Sequence, residues 1–237
     1  MNCRRTVFPL LVFLLSLAGC SNYRVFVQGV DLDHFMPSQT APMDSRTMKR
    51  EGAYHNDRGV LLEKEGDLDG ALKQYRLARR KDPTLTRAYI NAGNVYIKLN
   101  QLGQAEELYL QALEREPEQP QALNNLAWVY IIRRKNLPAA IGLLERAIKA
   151  DRENRYLYLD SLGWALYRKG REEEAISTLK SALEEPPLAE NYLRGEAHYH
   201  LSLIYHERGE EEAAADHLKK SLELYPSPER AKLGNGE

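Results

Sequence analysis

The body of this 237-residue chain has no cysteine, because the two it contains, Cys3 and Cys20, both fall within the first twenty residues. That excludes a disulfide framework or a thiolate metal site from everything downstream, so the fold must be held by packing alone. An excess of one charge is also missing. Lys and Arg number 33 and Asp and Glu 34, a formal net charge of -1. A phosphate-binding surface usually leaves a basic surplus, so nucleic acid is not the expected partner. A run long enough to cross a bilayer is lacking too: the most apolar stretch, Val7 to Leu17, is about 11 residues against the roughly 20 a spanning helix needs. What remains is ordinary for a globular protein, 43% apolar and 28% charged, and disorder is not the default reading.

The first twenty residues read as an address. Arg4 and Arg5 open it, the apolar stretch follows, and Ala18 and Gly19 lie just before Cys20. A charged start, a short apolar core and small residues at a cleavage zone make a secretory signal peptide. Leu17-Ala18-Gly19-Cys20 also resembles the lipobox of bacterial lipoproteins, in which cleavage falls before the cysteine and the cysteine is acylated. The plainer alternative is a secretory signal that ends near a cysteine by chance. The resemblance implies residues 1-19 as signal peptide, Cys20 as the lipidation site, and a bilayer as one partner. Several acyl chains at about 0.8 kcal/mol per buried CH₂ would hold the protein there almost permanently. Ser21 follows the cysteine where an Asp favours inner-membrane retention, which points to the periplasmic face of the outer membrane. Residues 20-51 then read as a tether, with Pro37, Pro42 and Gly29 breaking it. Tyr23-Arg24-Val25-Phe26-Val27 is apolar for a linker, and Ser45 is placed to cap a first helix.

From Gly52 onward the sequence repeats. A small residue recurs at Ala71, Ala105, Ala140, Ala175 and Ala214. Four residues later comes Tyr75, Tyr109, Leu144, Leu179 or Leu218, and three further on Ala78, Ala112, Ala147, Ala182 or Ser221. Pro83, Pro117, Arg152, Pro187 and Pro226 close the units. The first half of each unit has its own small column, Gly59, Gly93, Ala127, Gly163 and Ser202. Spacings of three, four and seven keep such residues on one helical face. Small residues let two helices approach while large ones fill the gaps beside them. A proline stops the second helix, and Gly66, Gly170 and Gly209 fall where a left-handed residue turns the chain between helices.

Ala92-Gly93-Asn94-Val95-Tyr96 and Leu162-Gly163-Trp164-Ala165-Leu166 carry the pattern farthest, and the chain resembles the tetratricopeptide repeat family. The resemblance implies an all-α, right-handed solenoid of about five helix-turn-helix repeats at 52-85, 86-119, 120-154, 155-189 and 190-228, with a tail at 229-237. Its usual tryptophan is replaced by His55, Tyr89, Leu123, Leu159 and His198. Repeat 3 has an extra residue near Arg134-Lys135-Asn136-Leu137-Pro138, and about five extra residues around Leu188 to Arg194 are expected to lengthen the first helix of repeat 5. The chain ends without a clear capping helix, which leaves the last repeat open to a partner or a second copy, or capped by its own polar surface.

No catalytic constellation emerges. A phosphate loop, a nucleophile elbow and His-Glu-x-x-His are all missing. Ser177-Thr178-Leu179-Lys180 fits a Ser-x-x-Lys pattern only by placing Leu179 in the repeat core. His198, His200 and His206 diverge around a helix, so neither metal nor cofactor is expected and the protein reads as no enzyme. The expected site is the concave groove lined by each first helix. Asn91, Asn94, Lys98, Asn124, Asn125, Trp128, Ile131, Trp164, Tyr167 and Arg168 are assigned to it, as aromatic anchors beside amides that can bond a peptide backbone. The alternative for Trp128 and Trp164 is packing in the core. Asn94 and Asn125 match the asparagines of the clamp by which chaperone-binding relatives hold a C-terminal carboxylate, but Ile90, Leu157 and Ser161 stand where its basic residues belong. The layout resembles lipoproteins such as secretin pilotins of type IV pili, barrel-assembly accessory subunits and adaptors for cell-wall hydrolases, the pilotins most in length and repeat regularity, and implies a scaffold binding a protein or peptide partner. The other class considered is an accessory subunit of polysaccharide synthesis or export, or a cell-wall hydrolase adaptor.

Overall fold

The computed structural model of the protein describes residues 44–184 and 191–227, and the unit starting at Ser45 is compact in itself. Among the described residues there are ten helices and no strand: α1 (Ser45–Lys64), α2 (Leu68–Lys81), α3 (Thr86–Lys98), α4 (Leu102–Arg115), α5 (Pro120–Ile132), α6 (Leu137–Ala150), α7 (Tyr156–Arg168), α8 (Glu172–Glu184), α9 (Asn191–Glu207) and α10 (Glu211–Leu224). Consecutive helices pair as antiparallel hairpins, the fold class the repeats predict. Ser45 is the first helical residue of α1, which begins ahead of Gly52. α9 has 17 residues where α3, α5 and α7 have 13, so the extra residues before repeat 5 do lengthen its first helix. Cys20, the lipobox and the tether up to Met43 lie outside the described residues.

One turn joins the two helices of every repeat. Gly66 and Asp67 donate backbone N–H groups to the carbonyls of Glu63 and Leu62, and the same pair of bonds recurs at Asn100, Arg134, Gly170 and Gly209 with the residue after each. This is the Schellman closure, which satisfies helix carbonyls through a left-handed residue. Glycine supplies that conformation in repeats 1, 4 and 5, whereas Asn100 (φ 56°) and Arg134 (φ 48°) adopt it with a side chain in repeats 2 and 3. The extra residue of repeat 3 lets Asn136 (φ 53°) turn left-handed as well, and its side chain accepts from the Ala139 N–H. After α6, where proline gives way to Arg152, Asp151 stabilises the turn by accepting from the Asn154 N–H at 3.3 Å and from the Tyr158 hydroxyl at 3.0 Å.

The small columns work as spacing demands. A Cβ built on Gly93 would lie 2.5 Å from the Tyr109 ring, and one on Gly59 would meet Tyr75 at the same distance. A Cβ on Gly163 would meet Leu179 at 2.6 Å, whereas Ala127 and Ser202 occupy the column in the repeats of Leu144 and Leu218. Ala71, Ala105, Ala140 and Ala175 are fully buried on the other side of each hairpin. Each hairpin leaves apolar surface that only a neighbour covers, so burial runs through two contiguous clusters rather than one per repeat. Odd-numbered helices touch the next odd helix, while among the described residues no even helix reaches the next even one. The odd helices therefore crowd on one side of the stack and the even helices fan apart on the other.

Candidate functional site

The crowded odd-helix side carries most of the assigned residues, and it does so through bonds that cross from one repeat to the next. Asn91 on α3 donates to Asn56 on α1 at 3.0 Å. Asn125 on α5 donates to Asn94 on α3 at 2.8 Å, and the same Asn94 oxygen accepts from the Tyr109 hydroxyl at 2.8 Å. Farther along, His200 Nδ1 on α9 lies 2.8 Å from Asp160 on α7. Each bond between odd helices spans about one repeat length of sequence, because the residue two before the small column meets the preceding odd helix.

Asn94, Lys98, Asn125 and Trp128 come together around a recess of about 380 Å³, completed by Glu63, Ile97 and Tyr109. Lys98 is held by Glu63 at 2.8 Å, and Glu63 also accepts from Tyr75 at 2.8 Å. Burial, the Asn125 contact and the Glu63 charge act on the Tyr109 phenol, with burial dominant, and its pKa stands well above the ordinary value. It therefore enters the recess as a neutral hydroxyl. Trp128 is half-buried: one edge packs on the core and another borders the recess, so it is both anchor and packing residue.

Trp164, Tyr167 and Arg168 line a second recess of about 430 Å³ with Arg134, Leu137, Gly170, Glu172 and Glu207. Trp164 is stacked on His200 with ring centroids 4.5 Å apart, the Tyr167 ring is 5.2 Å away, and the Arg168 guanidinium lies 5.6 Å from its centroid. The Tyr167 hydroxyl is pushed up to about 12, first by burial and then by its bond to Glu207. This recess is ringed by ionised groups of both signs, whereas amides and a phenol dominate the first.

Two assignments change. Ile131 is only 1% exposed and is core, not groove. It lies four and eight residues after Ala127 and Leu123, on the stripe of α5 that belongs to the core cluster with Leu144 of α6. Asn124 borders neither recess; its side-chain N–H reaches Asn125 at 3.2 Å and its oxygen is buried without a partner. Sequence pattern alone does not assign Tyr109 and Asp160 to this face, nor Arg134 and Leu137 to the second recess. Tyr109 reads in the sequence only as a core column, although its hydroxyl emerges at the far side. Asp160 does carry a signal, since it stands one residue before Ser161 just as Asn56 precedes Asp57.

The histidines of repeat 5 separate. His200 is buried against Asp160 and Trp164, whereas His198 faces His217 on α10 with Nδ1 atoms 2.8 Å apart. Among the described residues no three His, Cys, Asp or Glu side chains converge on a metal-sized site.

Comparison with known proteins agrees with this architecture. Human Tetratricopeptide repeat protein 6 is 37% identical over 79 residues, 33% of this chain, and the chain spans only 15% of that relative. Of solved structures, PilW, described as a widely conserved type IV pilus biogenesis factor, superposes with a TM-score of 0.66 at 19% identity over 74% of this chain and 78% of its own. YrrB, described as a TPR protein with an unusual peptide-binding site, gives 0.55 at 24% identity over 77% of this chain and 91% of its own. At these identities both likenesses concern the fold. The tetratricopeptide repeat profile matches residues 90–155, 136–190 and 161–227. Those segments together cover more than half of the chain, which thus belongs to the tetratricopeptide repeat family.

Proposed function

We propose that the protein is a non-catalytic, lipid-anchored scaffold whose odd-helix face holds an extended stretch of a protein partner during assembly of a cell-envelope complex such as a pilus or secretion machine. The observation that carries this reading is the first recess, where Asn94, Asn125, Tyr109 and Trp128 converge at one place. Amides present donors and acceptors suited to a peptide backbone, and a tryptophan edge gives the apolar anchor that binding surfaces concentrate their energy on. The neighbouring recess at Trp164 extends the same face by one repeat. Anchoring at the outer membrane rests on Leu17-Ala18-Gly19-Cys20 and Ser21, and the pilus on the order of export segment, tether and repeats; PilW shares the fold.

Photo-crosslinking residues placed at Trp128 and Trp164 in whole cells, followed by mass spectrometry, test the groove. One protein captured at both positions supports the reading, and capture lost in Trp128→Ala with helicity intact localises it. Equal, unsaturable labelling of abundant proteins would refute it. Cys20→Ser tests the anchor independently: lipid labelling and membrane retention are both expected to disappear, and persistent membrane association would rule out acylation as the anchor.

A further inference from the structure

The side opposite the groove carries a recess of about 620 Å³, in the gap that the fanned even helices leave between α4 and α6 above α5. Its walls are mostly apolar, with Leu113, Leu126, Tyr130 and Leu143 among them, and Leu110 stands at its rim 43% exposed. A second observation concerns the floor of this space. Gly142 lines the recess from the middle of α6, where glycine costs about 1 kcal/mol relative to alanine. At Gly93 a facing tyrosine requires that cost. At Gly142 an added Cβ would meet nothing of this chain within 4 Å, so no internal contact explains the missing side chain.

We infer that this face is the contact between two copies of the chain, Leu110 of each seating over Gly142 of the other. The patch is self-complementary in shape and in charge. α4 carries the protruding Leu110 and, one turn later, the acid Glu114; α6 carries the hollow at Gly142 and, one turn later, the base Arg146. α4 and α6 run in the same direction because each is the second helix of its hairpin. A two-fold axis parallel to them lays α4 of one copy along α6 of the other in the same direction. Both pairings, Leu110 with Gly142 and Glu114 with Arg146, then form together and twice. That is the property an isologous interface requires. Arg146 now bonds Glu118 at 2.8 Å and the Pro117 carbonyl, while Glu114 is 73% exposed and 3.9 Å from its neighbour Arg115. Arg146 thus already stands at the rim and needs only to exchange one exposed carboxylate for another. The groove face remains open in the pair.

Sedimentation velocity on the full chain from about 5 to 500 μM reads the association directly, with about tenfold in affinity for each 1.4 kcal/mol. A reversible monomer–dimer equilibrium is expected. Gly142→Arg, which fills the hollow without touching its own chain, is expected to leave only monomer with unchanged helicity, and Leu110→Glu likewise. Glu114→Arg alone is expected to weaken the dimer about tenfold or more, and adding Arg146→Glu to restore it. A monomer throughout the range overturns the inference, as does a dimer indifferent to Gly142→Arg. Should the chain stay monomeric while Gly142→Arg abolishes capture of a different protein, the occupant is a foreign helix and the self-contact is equally refuted.

Discussion

The first three repeats and the last two solve the same packing problem with different chemistry. In the first three, the odd helices are linked by Asn56, Asn91, Asn94 and Asn125, and the first two hairpins close by a glycine against a tyrosine ring. In the last two, Asp160 and His200 take the bridging positions, Trp164 stacks on the imidazole, and leucines face the small column. The N-terminal bridges thus run from amide to amide, and the C-terminal bridge from an imidazole to a carboxylate beneath an indole.

The steepest way to break this comparison is at the close approach. Gly93→Val puts a branched side chain where a single Cβ already lies 2.5 Å from the Tyr109 ring, so the ring or the helix must move. The expected loss is about 3 kcal/mol, the upper range for overpacking a core. It would be read from urea unfolding, and a first recess distorted through Tyr109 should lose partner binding as well. Ala127→Val, made against Leu144 in the same column, is expected to cost less. Equal losses would mean that the tyrosine repeats have no special tightness.

Trp164→Ala comes next. It removes a half-buried indole and leaves one face of the buried His200 without its stack. A loss of about 2 kcal/mol is expected, below the range for a fully buried tryptophan because some of the ring is already in water. Trp128→Ala should cost less in stability and more in binding, since Trp128 borders the amide recess and no stacked ring rests on it among the described residues. A reversal of that order would exchange the roles assigned to the two recesses.

Much of this is legible without coordinates. Small columns at near-constant spacing dictate paired helices and their number, because nothing but close helix contact asks for Ala71, Ala105, Ala140 and Ala175 in step. Counting one residue past the small column places Asn94, Trp128 and Trp164 on the shared face. Ile131 escapes that reasoning: it stands four residues after Ala127 and so continues the small column's own stripe into the core. The turns are half legible. Glycine announces a left-handed residue, so Gly66, Gly170 and Gly209 stand out; Asn100 is a weaker signal, and Arg134 adopts that conformation against its own preference and gives no sign of it. Bonds between side chains of different helices, such as Tyr109 to Asn94, depend on which end of a side chain surfaces, and no one-dimensional pattern records that.

Acid is expected to act on the paired histidines of repeat 5. His198 is lowered to about 4, mainly by burial and then by the nearby His217, Lys220 and Arg194 charges, with Asp216 opposing; His217 is lowered too, again chiefly by burial. A histidine whose folded pKa lies below its unfolded value of about 6.5 takes up protons on unfolding. Its contribution to stability is therefore complete above pH 6.5 and is lost as the pH falls toward 4. Both rings are about half-buried, so after allowance for solvent screening the loss is about 1 kcal/mol. Melting at pH 7.5 and 4.5 should show it. His198→Leu, the residue that Leu123 and Leu159 already place in this column, should flatten the dependence. An equal acid response in the variant would trace the sensitivity to another group.

The smallest expected effect bears on the turns that flank the two recesses. Asn100 follows α3 just beyond Lys98, and Arg134 follows α5 while lining the second recess; both hold a positive φ where the outer repeats use glycine. Glycine meets that conformation without a Cβ penalty but gives up more freedom on folding, so the two effects partly offset each other. Asn100→Gly is expected to gain no more than about 0.5 kcal/mol, because asparagine tolerates the left-handed region better than most residues. Arg134→Gly should gain about 1 kcal/mol, since arginine has no such tolerance, yet bind the partner more weakly by removing a cation from the recess. If Arg134→Gly improved stability and left binding unchanged, the strained arginine would serve neither purpose, and the second recess would lose its place in the groove.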